Sequence, residues 1–396
     1  MTEVLRRQYL EFLEEFKDDT EVIKVICGVR RCGKSTLMLQ YVDLLIRSGV
    51  SEGDIVYMNL ESMEFDDLKD GTDLKVHLRG RMGPGRTYIL LDEIQKVNGW
   101  ETVVNALTID FDADVYITGS NAHLLSTELT TYLTGRYVSI NMLPLSFIEY
   151  AELHKGRAED KYELFERYLK YGAFPGVDPF ESERKIQVRL NDLYSSIVYK
   201  DVMSRGMVRD ASELERVIRF MMFNIGNPLS SNKIANTLGG VHRNTVEGYL
   251  RLLEESCIMY RADRYDIRST ALSPSPKYYS VDTGLRNAPL KYTDEDYVRI
   301  LENIVYLELI RRGCKVYVGR HGDSEVDFAV KTSGGFEYYQ VTYSMKDDRV
   351  KERELKPLRS IRDSYPKTVI STDEMKADFE GGIKHVHKID ILMGRP

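Results

Sequence analysis

Residues 21–49 read EVIKVICGVRRCGKSTLMLQYVDLLIRSG and combine three structural signals in a row. The run from Val22 to Ile26 is largely apolar and rich in β-branched residues, which predicts a buried strand. The turn after it fits the pattern G-x-x-x-x-G-K-[ST], and apolar residues then recur at helical spacing as far as Gly49. A strand, a glycine-rich loop and a helix in this order predict a phosphate-binding loop.

The residue types of this loop suit the binding of a nucleotide with Mg²⁺. Backbone N–H groups of a glycine-rich turn can surround a phosphate, and the amino terminus of the helix adds a favourable dipole. Lys34 would reach the β- and γ-phosphates, and the hydroxyl of Ser35 would contact the metal ion. The residues expected to bind the nucleotide are Gly28, Val29, Arg30, Arg31, Cys32, Gly33, Lys34, Ser35 and Thr36.

A second motif, RTYILLDEIQKV at residues 86–97, supplies two adjacent carboxylates at the end of an apolar strand. Asp92 at such a strand end can hold Mg²⁺ through water, and Glu93 can orient or deprotonate the attacking water. The alternative is an ordinary helix start, because Asp and Glu are favoured in first turns. The position after the loop, with a further strand at residues 54–60 between them, favours the catalytic interpretation.

Two polar residues farther along the chain are further site candidates. Asn121 ends the strand pattern ADVYITGSN and could touch the γ-phosphate or the attacking water, although Gly-Ser-Asn is also ordinary turn chemistry. Arg136 opens a fifth strand pattern within residues 132–145. It could act as an arginine finger, in its own chain or on a neighbouring subunit, or it could be a solvated arginine at a strand start.

The motifs ICGVRRCGKSTLM, LLDEIQ, ITGSNAHLLS and LTGRY together resemble a known family. They resemble the archaeal and bacterial AAA+ ATPases related to the STAND branch, which carry a winged-helix module and a carboxyl-terminal domain of uncharacterised function. The resemblance implies an α/β fold with an ASCE-type P-loop parallel-sheet core and a helical lid. It also implies ATP or ADP as the ligand, Mg²⁺ as the cofactor and Glu93 as the catalytic base.

Four domains are predicted: a P-loop ATPase core at 1–145, a helical lid or linker at 146–225, a winged helix-turn-helix at 226–288 and an α/β domain at 289–396. The third segment has two helix patterns separated by Gly-Gly, followed by a strand pattern. Its outward face would show Arg243, Asn244 and Arg251, which could contact DNA. Because the segment is nearly neutral overall, a role in protein contact stays equally open.

The last segment has the element order α-β-β-β-α-β, which resembles the PD-(D/E)xK restriction-endonuclease fold. Glu302 and Asp327 occupy plausible metal-ligand positions, but Gln340 and Thr342 stand where an active enzyme has a carboxylate and a lysine. An amide is a poorer ligand than a carboxylate for a hard divalent cation, and Thr cannot supply a positive charge. We therefore expect no nuclease activity, and a structural polar network or a pocket reused for binding.

Composition narrows the function classes further. The 396 residues carry a net charge of −7 and four scattered cysteines, with no apolar run long enough to cross a membrane. These features predict a cytoplasmic protein that does not coat nucleic acid non-specifically. The function expected is an ATP-driven switch or remodeller with slow or partner-stimulated hydrolysis, acting as a monomer or a nucleotide-dependent homo-oligomer. The alternatives are a DNA-acting nuclease-ATPase and an ATP-regulated DNA-binding protein.

Overall fold

The computed structural model describes residues 4–120, 136–203, 208, 210–374, 378–379 and 381–394. The chain divides into two compact units. The first comprises Met1–Pro144 with Glu255–Cys257, and the second comprises Leu145–Glu254 with Ile258–Pro396. No helix in the described part of the chain is both long and apolar enough to cross a bilayer.

The first unit is built on a five-stranded sheet in which every neighbouring pair is parallel. Its strands are β1 Ile23–Cys27, β2 Ile55–Asn59, β3 Thr87–Asp92, β4 Ala113–Gly119 and β5 Tyr137–Asn141. The α-helices among its described residues are α1 Arg7–Glu15, α2 Lys34–Arg47, α3 Gly71–Arg79 and α4 Trp100–Asp110. The strand order is β2-β3-β4-β1-β5, so β4 lies between the strand before the P-loop and the strand that ends in Asp92. The predicted α/β fold with a P-loop parallel sheet is confirmed.

The central strands of this sheet are largely apolar, although β1 contains Lys24 and β4 contains Asp114. Every residue of β1, β3 and β4 is buried, whereas β2 alternates between buried and half-buried residues. Burial along the whole strand is typical of parallel strands with helices on both sides. Since all the strands point the same way, the carboxyl ends of β1, β3 and β4 meet at one edge, which is where ligands bind in such sheets.

The remaining helices begin directly after the first unit. They are α5 Phe147–Leu153, α6 Lys161–Tyr171, α7 Glu183–Ile197, α8 Ala211–Phe223, α9 Ser231–Leu238, α10 Arg243–Glu255, α11 Thr283–Leu290, α12 Tyr297–Arg311, α13 Asp348–Ser360 and α14 Lys388–Leu392. Several begin at a residue whose side chain accepts hydrogen bonds from the first turn, as Asp160 does for α6. The predicted helical character of residues 146–225 agrees with the run from α5 to α8.

Among the described residues, the strands of the second unit form an eight-stranded mixed sheet. The strands are β6 Met259–Asp266, β7 Ala271–Ser280, β8 Lys315–His321, β9 Ser324–Thr332, β10 Gly335–Val341, β11 Lys367–Ser371, β12 Asp378–Phe379 and β13 Ile383–His387. Their order is β12-β13-β11-β10-β9-β8-β6-β7. The run α12-β8-β9-β10-α13-β11 has the element order expected for the last segment.

The sheet corrects one predicted domain boundary. Helices α9 and α10 and the hairpin of β6 and β7 follow each other as a winged helix requires. However, β6 also pairs in parallel with β8, from Arg264 opposite Val318 to Asp266 opposite Arg320. The hairpin therefore extends the carboxyl-terminal sheet, and residue 289 does not separate two independent domains. The physical reason is that an edge strand offers unpaired backbone groups, which β8 satisfies here.

Candidate nucleotide-binding site

The P-loop connects β1 to α2 through backbone conformations that require glycine. Gly33 begins α2 with a φ of 110°, in the region that side chains rarely adopt. Gly28 has a φ of 154°, and a Cβ there would lie 2.2 Å from the carbonyl oxygen of Met142. The loop therefore packs directly on the backbone that follows β5. The structure thus explains why both positions of the motif are glycine.

Lys34 is buried in the hollow of this loop, with only 2% of its side chain exposed. Its ammonium group donates to the carbonyl oxygens of Gly28 at 3.1 Å and Val29 at 3.4 Å, and lies 3.6 Å from a carboxylate oxygen of Glu93. Burial alone would lower the pKa of Lys34, but the neighbouring Cys32 and Glu93 outweigh it and raise the pKa. The group therefore stays positively charged, as an ammonium that binds phosphate must.

Asp92 ends β3 as a fully buried carboxylate. It accepts a hydrogen bond from the hydroxyl of Thr118 and a weaker one from Tyr57 at 3.4 Å. Burial raises the pKa of Asp92, and hydrogen bonds from the side chains of Ser35 and Thr118 oppose that rise. The structure thus brings together the two residues that the sequence assigned to Mg²⁺.

Glu93 follows with a φ of 55°, a left-handed conformation that is uncommon outside glycine. Two contacts hold it there: its backbone N–H donates to the Thr118 hydroxyl at 3.0 Å, and its carboxylate accepts from Gln95 at 2.5 Å. Strained conformations of this kind cluster at functional sites. Thr118 was not among the residues predicted from the sequence, although a polar residue within the buried run VYITG can indicate a functional position.

A second residue that the sequence reasoning missed is Arg6, which is 3% exposed. Its guanidinium donates to the carbonyl oxygens of Cys32 at 3.0 Å and Leu143 at 2.7 Å. Its backbone N–H donates to the side chain of Gln40 on α2 at 3.2 Å. Arg6 therefore ties the P-loop to the segment after β5. No local sequence pattern marks a residue that acts on a loop 26 positions away.

Two predicted site residues remain, Asn121 and Arg136. Asn121 lies outside the described residues. Arg136 is exposed, and its carbonyl oxygen accepts from the N–H of Ile23 at the start of β1. The register places Tyr137 opposite Ile23 and Asn141 opposite Cys27, so Arg136 lies at the other edge of the sheet, about 16 Å along the strands from Cys27, after which the P-loop begins. The prediction that Arg136 acts on the site of its own chain is corrected, because a residue before a parallel strand lies at the amino edge.

The donors present fit a magnesium ion that keeps most of its water. Mg²⁺ is usually bound by one or two protein oxygens together with water and substrate phosphates. Ser35 and Asp92 supply a hydroxyl and a carboxylate in mutual contact. Among the described residues, no group of three or more His, Cys, Asp or Glu side chains could hold a metal ion. A metal ion here would therefore depend on phosphate oxygens as well as on these two residues.

The residues predicted to contact DNA lie on α10. Arg243, Asn244 and Arg251 are all exposed. Arg243 pairs with Glu247 one helical turn away, at 2.8 Å, and Glu247 also accepts from Ser231 on α9. An exposed pair of this kind is weak, so Arg243 can exchange its partner at little cost.

Comparison with known proteins supports the nucleotide-binding assignment. Residues 20–151 match a family described as an AAA domain, and residues 162–296 match a domain of unknown function. An uncharacterized protein of Haemophilus influenzae is 38% identical over 399 residues, which cover 98% of this chain and 98% of that protein. This chain belongs to the family of that Haemophilus protein. An uncharacterized protein of Methanocaldococcus jannaschii is 29% identical over 84% of this chain and 77% of its own length.

Two solved structures of proteins bound to DNA share only a distant likeness with this family member. The Aeropyrum pernix ORC1 protein in complex with DNA has a TM-score of 0.31 and 15% identity, covering 78% of this chain and 94% of its own. A replication initiator DnaA bound to AMPPCP and single-stranded DNA has a TM-score of 0.34 and 16% identity, covering 64% and 89%. The assignment of the ATPase fold therefore depends on the AAA match, the strand order and the P-loop geometry.

Proposed function

We propose that this protein is a Mg²⁺-dependent ATPase that acts as a nucleotide-driven switch or remodeller. The observation that carries the proposal is the distance of 3.6 Å between the Lys34 ammonium and the Glu93 carboxylate. A phosphate-binding lysine and a catalytic base are needed on either side of a terminal phosphate. Two separate motifs of the chain converge here to supply them.

Each residue of the site has a distinct role in this proposal. Lys34 binds the β- and γ-phosphates of ATP, and backbone N–H groups from Gly28 to Thr36 surround them. Glu93 orients the attacking water and accepts its proton, while Thr118 fixes the backbone of Glu93. Ser35 and Asp92 would hold Mg²⁺, which would neutralise charge that develops on the phosphates.

The contact between Glu93 and Lys34 also suggests why hydrolysis would be slow without a partner. While Glu93 is engaged by Lys34 and Gln95, its carboxylate is not free to activate water. A change that parts the two side chains would release both, and a partner that favours this change would stimulate turnover. The protein would then report its nucleotide state through this residue pair.

The substitution Glu93→Gln tests the catalytic part of the proposal, because it keeps the size of the side chain and removes its basicity. We expect release of phosphate from Mg-ATP to fall at least about 100-fold while ATP binding is kept. Glu101→Gln is the matched control, because Glu101 lies in the first turn of α4. Unchanged phosphate release by Glu93→Gln would contradict the assignment of the base.

A second function, the binding of DNA, is favoured by the exposure of Arg251. Arg251 lines a cavity of about 430 Å³ together with Arg261, Ser230 and Ser231. Guanidinium and hydroxyl groups are common partners of DNA phosphates. Glu247 and Glu254 line the same cavity, so the proposal is a weak, salt-dependent interaction.

Assembly distinguishes two forms of the proposed switch. Arg136 is exposed at the sheet edge opposite its own P-loop, where it is accessible to a second copy of the chain. Mass measurement with and without a non-hydrolysable ATP analogue tests this arrangement. Assembly that depends on the analogue and is lost in Arg136→Ala supports a finger acting between subunits, whereas a persistent monomer favours a switch within one chain.

A further inference from the structure

A cluster of charged side chains lies in the second unit, far along the chain from the nucleotide site. The ammonium group of Lys277 on β7 lies 3.0 Å from a carboxylate oxygen of Glu302 on α12. The same ammonium group lies 3.0 Å from a carboxylate oxygen of Glu325 and 3.7 Å from one of Asp327, and both of these residues are on β9. One lysine thus faces three carboxylates that come from two elements of the fold.

The cluster is largely shielded from water. The side chain of Lys277 is 4% exposed, and those of Glu302 and Asp327 are each 13% exposed. Tyr279 donates to Glu302 at 2.7 Å, and Arg264 donates to the outer carboxylate, Glu325, at 2.7 Å. A buried charge is tolerated only when it is paired and hydrogen-bonded, and each charge here has such a partner.

The carboxylates favour the charged form of Lys277. Burial alone would lower the pKa of the Lys277 ammonium, but the neighbouring Glu302, Asp327 and Glu325 outweigh burial and raise the pKa. Burial and the neighbouring Glu302 raise the pKa of Asp327, whereas Lys277 opposes that rise.

The two residues that depart from the nuclease pattern have structural partners. Gln340 accepts from the backbone N–H of Asp327 at 3.3 Å and donates to Glu354 on α13 at 2.9 Å. Thr342 is buried, and its backbone N–H donates to the carbonyl oxygen of Ile370 on β11. Gln340 therefore links β9 to α13 instead of presenting an oxygen to a cation. Position 342 lacks the lysine of the nuclease pattern, but a lysine from another strand, Lys277 of β7, lies beside the carboxylates.

We propose that the Lys277 ammonium is the resident cation of this cluster and occupies the space where a divalent metal ion would otherwise bind. The tethered ammonium neutralises the carboxylates without the strict ligand geometry that Mg²⁺ or Mn²⁺ demands. The cluster is then closed and independent of a metal ion, which argues against the nuclease-ATPase alternative. As the side chains stand, no group of three or more His, Cys, Asp or Glu residues in the described part of the chain could hold a metal ion. Removal of the ammonium is what would open Glu302, Glu325 and Asp327 to a divalent cation.

Titration of the full chain with Mn²⁺ tests the proposal without reference to catalysis. Free Mn²⁺ is followed by its paramagnetic resonance signal, in nucleotide-free protein that carries Ser35→Ala to disable the metal position of the P-loop. We expect no binding at the cluster when Lys277 is present. In Lys277→Ala we expect one site, with a Kd of about 1 mM or tighter and at least about tenfold tighter than with the lysine in place.

Two further variants serve as controls. Lys277→Arg keeps a cation in place and should bind no Mn²⁺, and Lys277→Ala combined with Asp327→Asn should lose the new site. Binding of Mn²⁺ by the chain that retains Lys277, if Asp327→Asn abolishes it, overturns the proposal. So does a Lys277→Ala variant that keeps its circular dichroism spectrum and binds no Mn²⁺.

A second measurement uses the unsubstituted chain and so does not depend on how a variant folds. Acetylation of lysines by acetic anhydride is followed by mass spectrometry, with the exposed Lys331 as the internal reference. Lys277 should react at least about 100-fold more slowly than Lys331, since reaction requires local opening. Millimolar Mn²⁺ should leave that ratio unchanged. Equal rates at the two lysines, or faster reaction of Lys277 with Mn²⁺, contradict the proposal.

Discussion

The carboxylate of Asp282 accepts a hydrogen bond of 2.6 Å from the backbone N–H of Ala173, a residue 109 positions earlier in the chain. The same side chain accepts from the N–H of Leu285 at 2.8 Å and so begins α11. One buried side chain thereby joins the turn after α6 to the junction KYYSVDTGLRNA at residues 277–288. Two segments that are distant in the sequence thus form one contact in the fold.

This carboxylate predicts a pH dependence of stability. Burial raises the pKa of Asp282 to about 6, against the opposing hydrogen bonds from Ala173 and Leu285. A carboxyl group whose pKa is higher in the folded protein than in the unfolded chain binds its proton more tightly when folded. Its contribution to stability is therefore fully present below the pKa of the unfolded chain and is lost as the pH rises from that pKa through about 6. We expect the free energy of unfolding to fall by up to about 3 kcal/mol over this window from this group.

Urea denaturation of Asp282→Asn across the same pH range measures that contribution. The variant cannot ionise, so the difference in its unfolding free energy from the unsubstituted chain should change with pH and level off above about 6. Asp43→Asn, at an exposed position of α2, is the matched control and should give a constant difference. A constant difference for Asp282→Asn would contradict the predicted pKa.

The contact between the two segments also predicts an effect of adding a single methyl group. A Cβ at Gly284 would lie 2.1 Å from the backbone carbonyl oxygen of Tyr171, which cannot move without disturbing α6. Gly284→Ala should therefore lower the free energy of unfolding by about 2–4 kcal/mol. Gly248→Ala is the matched control within α10, because its Cβ would meet nothing within 4 Å.

At Gly248, alanine should stabilise the helix by up to about 1 kcal/mol, because it reduces the freedom of the unfolded chain. Thermal or urea unfolding of the two variants gives the comparison directly. Similar effects of the two substitutions would show that the approach of Gly284 to Tyr171 is looser than the structure has it.

Arg6 should affect nucleotide affinity although it is predicted to touch no nucleotide. Its bonds to the carbonyl oxygens of Cys32 and Leu143 hold the P-loop in place, so Arg6→Ala should weaken ATP binding by about tenfold. Arg47→Ala, at an exposed position near the end of α2, should leave affinity unchanged. Equal affinities of Arg6→Ala and the unsubstituted chain, measured where both are folded, would show that the loop keeps its shape without Arg6.

The proposed DNA contact predicts a specific salt dependence. Duplex binding measured by fluorescence anisotropy over a series of salt concentrations should be weak, and Arg251→Ala should reduce the slope of log K against log salt by about 1. Arg184→Ala, exposed on α7, is the matched control. Identical slopes for the two variants would remove Arg251 from any DNA-binding face.

The parts of the fold that the sequence predicts are those with local causes. The P-loop strand and helix, the acidic end of β3 and the order of elements from α12 to β11 follow from short-range periodicity and turn chemistry. The pairing of β6 with β8 links residues more than fifty positions apart, and nothing in either strand names its partner. Hence the boundary at residue 289 was misplaced.

The functional residues divide in the same way. Lys34, Ser35, Asp92 and Glu93 lie within motifs whose spacing is itself the signal. Lys277 approaches Glu302 across 25 positions, from a strand that the nuclease-like pattern does not include. The position of Arg136 could have been predicted from the sequence, because a residue that precedes a parallel strand lies at the sheet edge opposite the ligand site.

Equilibrium binding of Mg-ATP to Lys34→Ala tests the nucleotide assignment most directly. Because the Lys34 ammonium is buried in the P-loop and still charged, its loss should weaken binding at least about 100-fold relative to the unsubstituted chain. Lys96→Ala, half-exposed beyond Glu93, should bind as the unsubstituted chain does. Equal ATP affinity in Lys34→Ala, or no Mg²⁺-dependent ATP binding by the unsubstituted chain, would contradict the proposed function.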